Sequence, residues 1–378
     1  MLTLSNIYVI LYCVLRRKSI LKPIIKWPGG KSREFDKIKD LIPQYSRYID
    51  PFFGGGAVFF ELMPSKANIN DISSSLMCFY ELVRDQNQEF KNILLEYNAS
   101  FISLINTCDL FSDKILEAYL DDDDNKSIDN VKFIISKTEV SKDLVLDLDS
   151  YTKTIVTSVL DKFKRTKQNN LKRKFSDKDL LENLITGFTS GFYLHFRNIY
   201  NDINLNKLDT SKEFEIANFY FIREYCYGSM FRYNKKGEFN IPYGGMSYNR
   251  KQFTKKIVSL FNVETRNIFE NTEIYNLDFE IFLDKIKLTN DDFIFLDPPY
   301  DTDFSDYEGK SFDLDDQIRL CNYLKRVPSK FILIIKNTDF IYNLYKSDFN
   351  ILSFEKNYTY NVRSRNERSV THLIIKNF

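Results

Sequence analysis

Short strand-like runs recur along the chain: Tyr48–Ile49 before Asp50-Pro51, Phe293–Leu296 before Asp297-Pro298, Phe331–Ile335 before Lys336-Asn337, and Val370–Ile375 near the end. Apolar runs this brief, bounded by turn residues, predict strands buried on both faces. Elsewhere the apolar positions follow helical spacing, as where Leu76, Phe79, Tyr80 and Val83 fall on one face. A Pro-Gly-Gly turn at 28–30 precedes the first strand and a triple glycine at 54–56 follows it. Strand, glycine turn and helix in that order make an α/β unit. Strands separated by helical stretches predict a mostly parallel sheet with helices on both faces. No internal repeat is visible at periods of roughly 20–50 residues.

The middle of the chain has a different texture. From 98 to 185 it carries an acidic part, including Asp121 to Asp124, and a basic part from Lys162 to Lys178 with eight Lys/Arg and one Asp. Such blocks are solvated faces or mobile loops, or, for the basic one, a phosphate-backbone contact. We read 98–185 as an insertion, partly helical. From 186 to 261 aromatic and polar residues interleave, in "GFYLHFRNIYND" and "YCYGSMFRYNKKGEFNIPYGGMSYNR". This composition suits a surface that stacks on bases and bonds their edges, or a Tyr-rich core. The expected organisation is a 1–21 extension, a main domain from 22–97 and 262–378, the 98–185 insertion, and a helical and loop-rich domain at 186–261.

Composition narrows the class. The 378 residues include 34 Phe and 24 Tyr but only 12 Gly and 9 Pro, so there is apolar area enough to offset the entropy of ordering the chain. With 53 Lys/Arg against 52 Asp/Glu the net charge is +1, and any nucleic-acid affinity has to come from local patches. The five cysteines (Cys13, Cys78, Cys108, Cys226, Cys321) are scattered, with no CxxC or Cys/His cluster, and read as reduced intracellular thiols. Val9 to Leu15 is apolar, but it is short of the ~20 residues of a membrane span and its charges follow the run, unlike a signal peptide. A cytoplasmic protein without a membrane partner is expected.

Three motifs carry chemistry. In Asp297-Pro298-Pro299-Tyr300 two prolines hold the chain rigid as it leaves a strand, presenting a carboxylate and a carbonyl as acceptors. Open α/β sheets bind ligands at that end of their strands. Two acceptors suit an exocyclic amino group on a nucleobase: accepting both N–H bonds localises its lone pair toward an electrophile. Tyr300 supplies a face on which an extruded base can stack. The plain alternative is a strand-ending turn. Asp50-Pro51-Phe52-Phe53-Gly54-Gly55-Gly56 is a close-approach loop at the first strand-to-helix turn, and it matches neither phosphate-binding glycine pattern. Asp71, 21 residues past Asp50, stands where a ribose diol is held in nucleoside-binding folds, or else caps the following helix.

These residues resemble the Dam-type, D12-class DNA adenine-N6 methyltransferases over 22–96 and 186–378. Lys26-Trp27-Pro28-Gly29-Gly30-Lys31 is similar to the family's K-W-x-G-G-K, Asp50 to Gly56 to its cofactor loop, and Asn70-Asp71 to its ribose-binding pair. Asp278-Phe279 matches the D-F that contacts the cofactor adenine, and Asp297 to Tyr300 the catalytic tetrapeptide. Arg232-Tyr233-Asn234, Gly237, Phe239-Asn240 and Pro242-Tyr243-Gly244 resemble its target-recognition loop, and Arg368 to Asn377 its closing hairpin. The order of these motifs is that of the α group.

The resemblance implies a class I, Rossmann-like fold and transfer of the methyl group of S-adenosylmethionine to adenine N6 in double-stranded DNA, without a metal. It assigns Trp27, Lys31, Asp50, Phe52, Gly54, Gly56, Asp71 and Asp278 to the cofactor pocket, and Asp297, Pro298, Pro299 and Tyr300 to catalysis. Arg232, Asn234, Asn240, Pro242, Tyr243 and Gly244 are assigned to DNA. It also implies a monomer, serving either a restriction-modification system with a partner endonuclease or as a solitary methylase. Dam-like loops suggest a GATC or GAT-containing target. The chain departs from shorter relatives in its extra Gly55, in the insertion, and in Gly245-Met246, where they have a basic residue. Cytosine-C5 chemistry needs a nucleophilic Cys, typically after Pro in that family, and none of the five follows proline.

Overall fold

The computed structural model describes residues 21–31, 34–229, 232–300, 312–357 and 369–378. The stretch Val9–Leu15, and Cys13 within it, lie outside the described residues. Seven strands form one sheet: β1 (Arg47–Asp50), β2 (Ala67–Asn70), β3 (Thr272–Tyr275), β4 (Asp292–Leu296), β5 (Lys330–Lys336), β6 (Asn350–Asn357) and β7 (Ser369–Lys376). Their order is β3-β2-β1-β4-β5-β7-β6. The first five run parallel, and β7 enters antiparallel between β5 and β6. The expected sheet is present; within the stretch that resembles the closing hairpin, Ser369–Lys376 is a single strand, and its antiparallel partner is the earlier β6.

Both faces of the sheet are covered, which is why its central strands read as unbroken apolar runs rather than alternating ones. Phe293, Phe295, Ile332 and Ile334 point into one core, while Ile294, Leu296, Phe331, Leu333 and Ile335 point into a second on the opposite face. Two parallel strands lack that signature. β2 is "ANIN" and β3 "TEIY", and their polar groups are met by one another: Asn68 Nδ2 donates to Glu273 Oε2 at 2.8 Å. Chain direction around the sheet reverses between β1 and β4, so a crevice opens at their carboxyl ends.

The helices include α1 (Ala57–Leu62), α2 (Ser74–Arg84), α3 (Gln88–Leu110), α4 (Ser112–Leu120), α5 (Asp124–Ser136), α6 (Leu148–Lys172), α7 (Asp177–Asn204) and α8 (Lys212–Tyr225). After them come α9 (Phe253–Leu260), α10 (Val263–Glu270), α11 (Phe279–Lys285), α12 (Leu314–Leu324) and α13 (Asp339–Tyr345). Among the described residues no helix is long and apolar enough to cross a membrane. Helix α3 passes unbroken through position 97 and α7 through 185, and 98–185 is helical almost throughout. Helices α6 and α7 approach closely at Gly191, where a Cβ would lie 2.6 Å from the Ile155 Cα.

The acidic and basic blocks meet on the surface, Lys164 to Asp124 at 3.8 Å and Lys167 to Asp122 at 3.5 Å. These pairs are exposed and contribute little. The aromatics of "GFYLHF" are core: Phe192, Tyr193 and Phe196 are buried on α7, as is Phe188 one turn earlier, with Phe192 against Phe101 and Phe221. For this part of 186–261 the Tyr-rich core is the outcome.

Candidate active site

A cavity of about 310 Å³ sits at the carboxyl ends of β1, β2 and β4. Trp27, Lys31, Asp50, Phe52, Gly54, Gly56, Asp71, Asp278, Asp297, Pro298, Pro299 and Tyr300 all line it. The fold therefore brings five separated parts of the chain around one space. Its size suits a nucleoside-class ligand.

One half is built on the glycine loop. Gly54 and Gly56 have φ of +50° and +65°, and at Gly56 a Cβ would stand 2.5 Å from the Phe53 ring. Only glycine fits both demands. The Gly54 N–H donates to Asp71 Oδ2 at 2.9 Å, and the Tyr80 hydroxyl donates to the Gly54 carbonyl at 3.0 Å. Asp71 also accepts from the Ser73 N–H, while the cap of α2 is Ser73 itself, whose hydroxyl accepts from Leu76 N–H. The helix-cap reading of Asp71 is thus corrected: it braces the glycine loop. Burial raises its pKa above the usual carboxylate range, against the backbone N–H bonds that lower it.

Asp50, fully buried, has its carboxyl pushed up to about 8 by desolvation. The Tyr48 hydroxyl, 2.8 Å from Oδ2, and the Phe52 N–H, 3.2 Å from Oδ1, partly offset that. Asn70 ties the strand ends together, donating to the Pro51 and Leu277 carbonyls at 3.0 Å each and accepting from Leu277 N–H. Asp278 caps α11 and is held by Arg319, whose Nη2 lies 2.7 Å from Oδ2. Phe52, Phe279 and Phe312 form an aromatic wall with centroid separations of 5.5–5.8 Å.

The other half is the tetrapeptide leaving β4. Lys31, 1% exposed, places its Nζ 2.5 Å from both carboxylate oxygens of Asp297 and 3.1 Å from the Gly29 carbonyl. The same Nζ lies 5.3 Å from the centre of the Tyr300 ring, which packs edge-on against His372. Gln317 Nε2 donates to the Pro299 carbonyl at 2.9 Å and anchors the turn.

The residues assigned to DNA lie apart from this cavity, on a segment laid along α7. Tyr193 donates to the Ile241 carbonyl, Asn201 bonds the Phe239 backbone in both directions, and Tyr200 meets the Tyr233 hydroxyl. Asn234 shapes a turn by accepting from Lys236 and Glu238 N–H, and exposed Arg232 donates Nε to Asn240 Oδ1 at 3.1 Å. Pro242 is exposed, and its carbonyl accepts from Tyr227 N–H. Gly244 is half-buried, and its N–H donates to the Tyr225 carbonyl. Tyr243 is buried, packed near Tyr193 and Tyr225, with its hydroxyl 3.3 Å from Asn249. The structure thus places Tyr243 beneath this surface.

Sequence reasoning missed Phe312 and Arg319, which line the cavity from just before α12 and from its middle. It also missed the Tyr48 hydroxyl on Asp50. A basic residue three positions after an acidic N-terminal turn, as Arg319 follows Asp316, is too common a pattern to single out.

Fold and cavity define a class I methyltransferase: a seven-stranded, doubly covered sheet with a glycine loop after its first strand and an acceptor tetrapeptide after its fourth. The model of the D12 class N6 adenine-specific DNA methyltransferases matches residues 27–190 and 163–360, and the chain belongs to that family. It is accordingly an adenine-specific DNA methyltransferase. The chain is 25% identical over 364 residues to the Type II methyltransferase M.CviBI of Paramecium bursaria Chlorella virus NC1A, covering 95% of this chain and 100% of that protein. It is 25% identical over 374 residues to the Type II methyltransferase M1.LlaDCHI of Lactococcus lactis subsp. cremoris, covering 96% and 98%. The DNA adenine methylase of Vibrio cholerae is 20% identical over 356 residues, covering 92% and 93%.

Proposed function

We propose that this enzyme transfers the methyl group of S-adenosylmethionine to N6 of an adenine flipped out of double-stranded DNA. The observation that carries the reading is that one cavity is lined by the glycine loop, Asp71 and Asp278 together with Asp297 and Tyr300. The donor set fits that cofactor: enclosed carboxylates at Asp50 and Asp71 for an ammonium and a ribose diol, and the Phe52, Phe279 and Phe312 wall for an adenine ring. When bound, the cofactor supplies an electrophilic methyl group.

The protein's part is positioning and electrostatics. Asp297 and the Pro298 carbonyl accept the two N–H bonds of the target amino group, and Tyr300 offers its ring to the base. Lys31 holds the place of that amino group on Asp297 and yields it to the base. The carboxylate then offsets the positive charge developing on N6 and takes its proton. Arg232, Asn234 and Asn240, on the exposed segment, meet the DNA. A Dam-like loop favours a GAT-containing site, with Gly245 in place of a basic residue altering its reading.

Two relatives are named Type II methyltransferases, which supports a role beside a restriction endonuclease. The test is methyl transfer from labelled S-adenosylmethionine to unmethylated genomic DNA, followed by nucleoside analysis and modification-aware sequencing. N6-methyladenine in one short motif is the expected result. Methylcytosine, or cofactor binding without transfer to DNA, would overturn the reading.

A further inference from the structure

Trp27 is held from outside the cavity. Arg223, 0% exposed on α8, donates both Nε (3.1 Å) and Nη2 (2.9 Å) to the carbonyl of Lys26. Its guanidinium lies 4.1 Å from the centre of the Trp27 ring. One turn earlier on the same helix, the Tyr220 hydroxyl donates to the Ile24 carbonyl at 3.0 Å. The side chain so held lies close over the glycine loop: a Cβ at Gly54 would stand 2.9 Å from Trp27 Cδ1, and one at Gly55 3.2 Å from Trp27 Cβ. Trp27 lines the cavity and Arg223 does not.

The other end of the relation is the exposed segment. Helix α8 stops two residues after Arg223, and Cys226 then bridges Tyr243 in antiparallel fashion. Tyr227 N–H donates to the Pro242 carbonyl, and Gly244 N–H to the Tyr225 carbonyl. Glu224, the residue after Arg223, is 0% exposed and pairs with Lys251 at 2.7 Å, which ties this helix end to the chain that follows the segment. A displacement of the segment thus reaches Arg223 within one helical turn, and through it Trp27 and the floor of the glycine loop.

We propose that Arg223 is a positioning residue that couples DNA engagement at the exposed segment to cofactor affinity at the glycine loop, acting through Trp27. The inference rests on the reading of the cavity as the S-adenosylmethionine site. Guanidinium geometry is what the role demands, since a flat fork can cap a carbonyl and lie over an indole together, whereas a compact ammonium serves one of them at a time. Coupling of this kind is reciprocal, each ligand tightening the other by the same factor.

Trp27 is the only tryptophan in the chain, so its fluorescence reports on the site directly. In the full-length protein, S-adenosylmethionine would be titrated with and without duplex DNA carrying the target motif, for wild type and Arg223→Lys, alongside steady-state kinetics. The expected result is a cofactor KM raised about tenfold in the variant with kcat at saturation within about threefold, and loss of the DNA-induced tightening seen in wild type. Trp27→Phe, and the double variant followed by calorimetry, complete a cycle. If Arg223 acts through Trp27, the double variant weakens the cofactor no more than the stronger single change. Unchanged KM and coupling in Arg223→Lys, or fully additive effects in the cycle, would overturn the proposal. Should wild type bind the cofactor yet fail to methylate DNA, the functional reading fails, while the fluorescence titrations and the cycle still judge Arg223.

Discussion

Lys31 and Asp297, 266 positions apart, meet as a close ion pair in which one ammonium serves both carboxylate oxygens. Lys31 is 1% exposed, whereas the Asp297 side chain keeps 19% of its surface. The partners are therefore unequal. Asp297→Ala strands a buried ammonium and should destabilise the protein by about 3 kcal/mol; Lys31→Met leaves a carboxylate that water still reaches and should cost about 1 kcal/mol. Urea unfolding of both variants measures this. Asp297→Asn, which preserves shape, should lower kcat on the order of a thousandfold while the cofactor Kd stays within about threefold. Equal loss in both would remove Asp297 from its assigned role.

The carboxyl of Asp50 sets a pH dependence. Its pKa is raised from 3.8 to about 8, so between those values the folded protein keeps a proton that the unfolded chain has released. The slope of stability with pH is then negative: this contribution declines from about pH 4 to pH 8 and is flat above. A cationic ligand favours the ionised form, so cofactor affinity should rise with pH, by at most about tenfold per unit, and level near pH 8. Asp50→Asn should flatten that profile. Tyr48→Phe, which removes a hydrogen bond that lowers the pKa, should move its midpoint upward. Calorimetric titrations from pH 6 to 9 decide it.

Gly56→Ala should cripple the glycine loop. The new Cβ meets the Phe53 ring at 2.5 Å in a backbone with φ of +65°, so relief means moving the loop. We expect a stability loss of about 2 kcal/mol with cofactor affinity reduced beyond what that loss explains, measured by thermal shift with and without ligand.

Arg319 should matter modestly. It stacks 4.5 Å from the Phe279 centroid and pairs with Asp278, but 40% of its side chain is exposed. Arg319→Gln should weaken cofactor binding by about threefold, and the difference should shrink at high salt.

The exposed and buried parts of the recognition segment should separate cleanly. Arg232→Ala should leave the unfolding free energy within about 0.5 kcal/mol while weakening or relaxing target selection. Tyr243→Ala should destabilise by about 3 kcal/mol, because its ring fills space beside Tyr193 and Tyr225. DNA binding and chemical denaturation of both variants test the contrast.

What the sequence determined alone is what depends on neighbours along the chain. Buried parallel strands at Tyr48–Ile49, Phe293–Leu296 and Phe331–Ile335 were legible because a doubly covered strand is apolar on both faces, and the Asp-Pro after the first two marked the strand ends that border the cavity. The glycine loop was legible because positive φ demands glycine. What only the tertiary structure decided depends on partners far away in sequence. β2 and β3 are polar, and become strands because Asn68 finds Glu273 and Asn70 finds Leu277 across about 200 residues. The Lys31–Asp297 pair, the bracing of Gly54 by Asp71, the grip of Arg223 on Trp27 and the burial of Tyr243 all arise from topology. No spacing rule along the chain records them, because a hydrogen bond or ring contact is set by distance in space, and parallel strand order is what brings those distances down to a few ångströms.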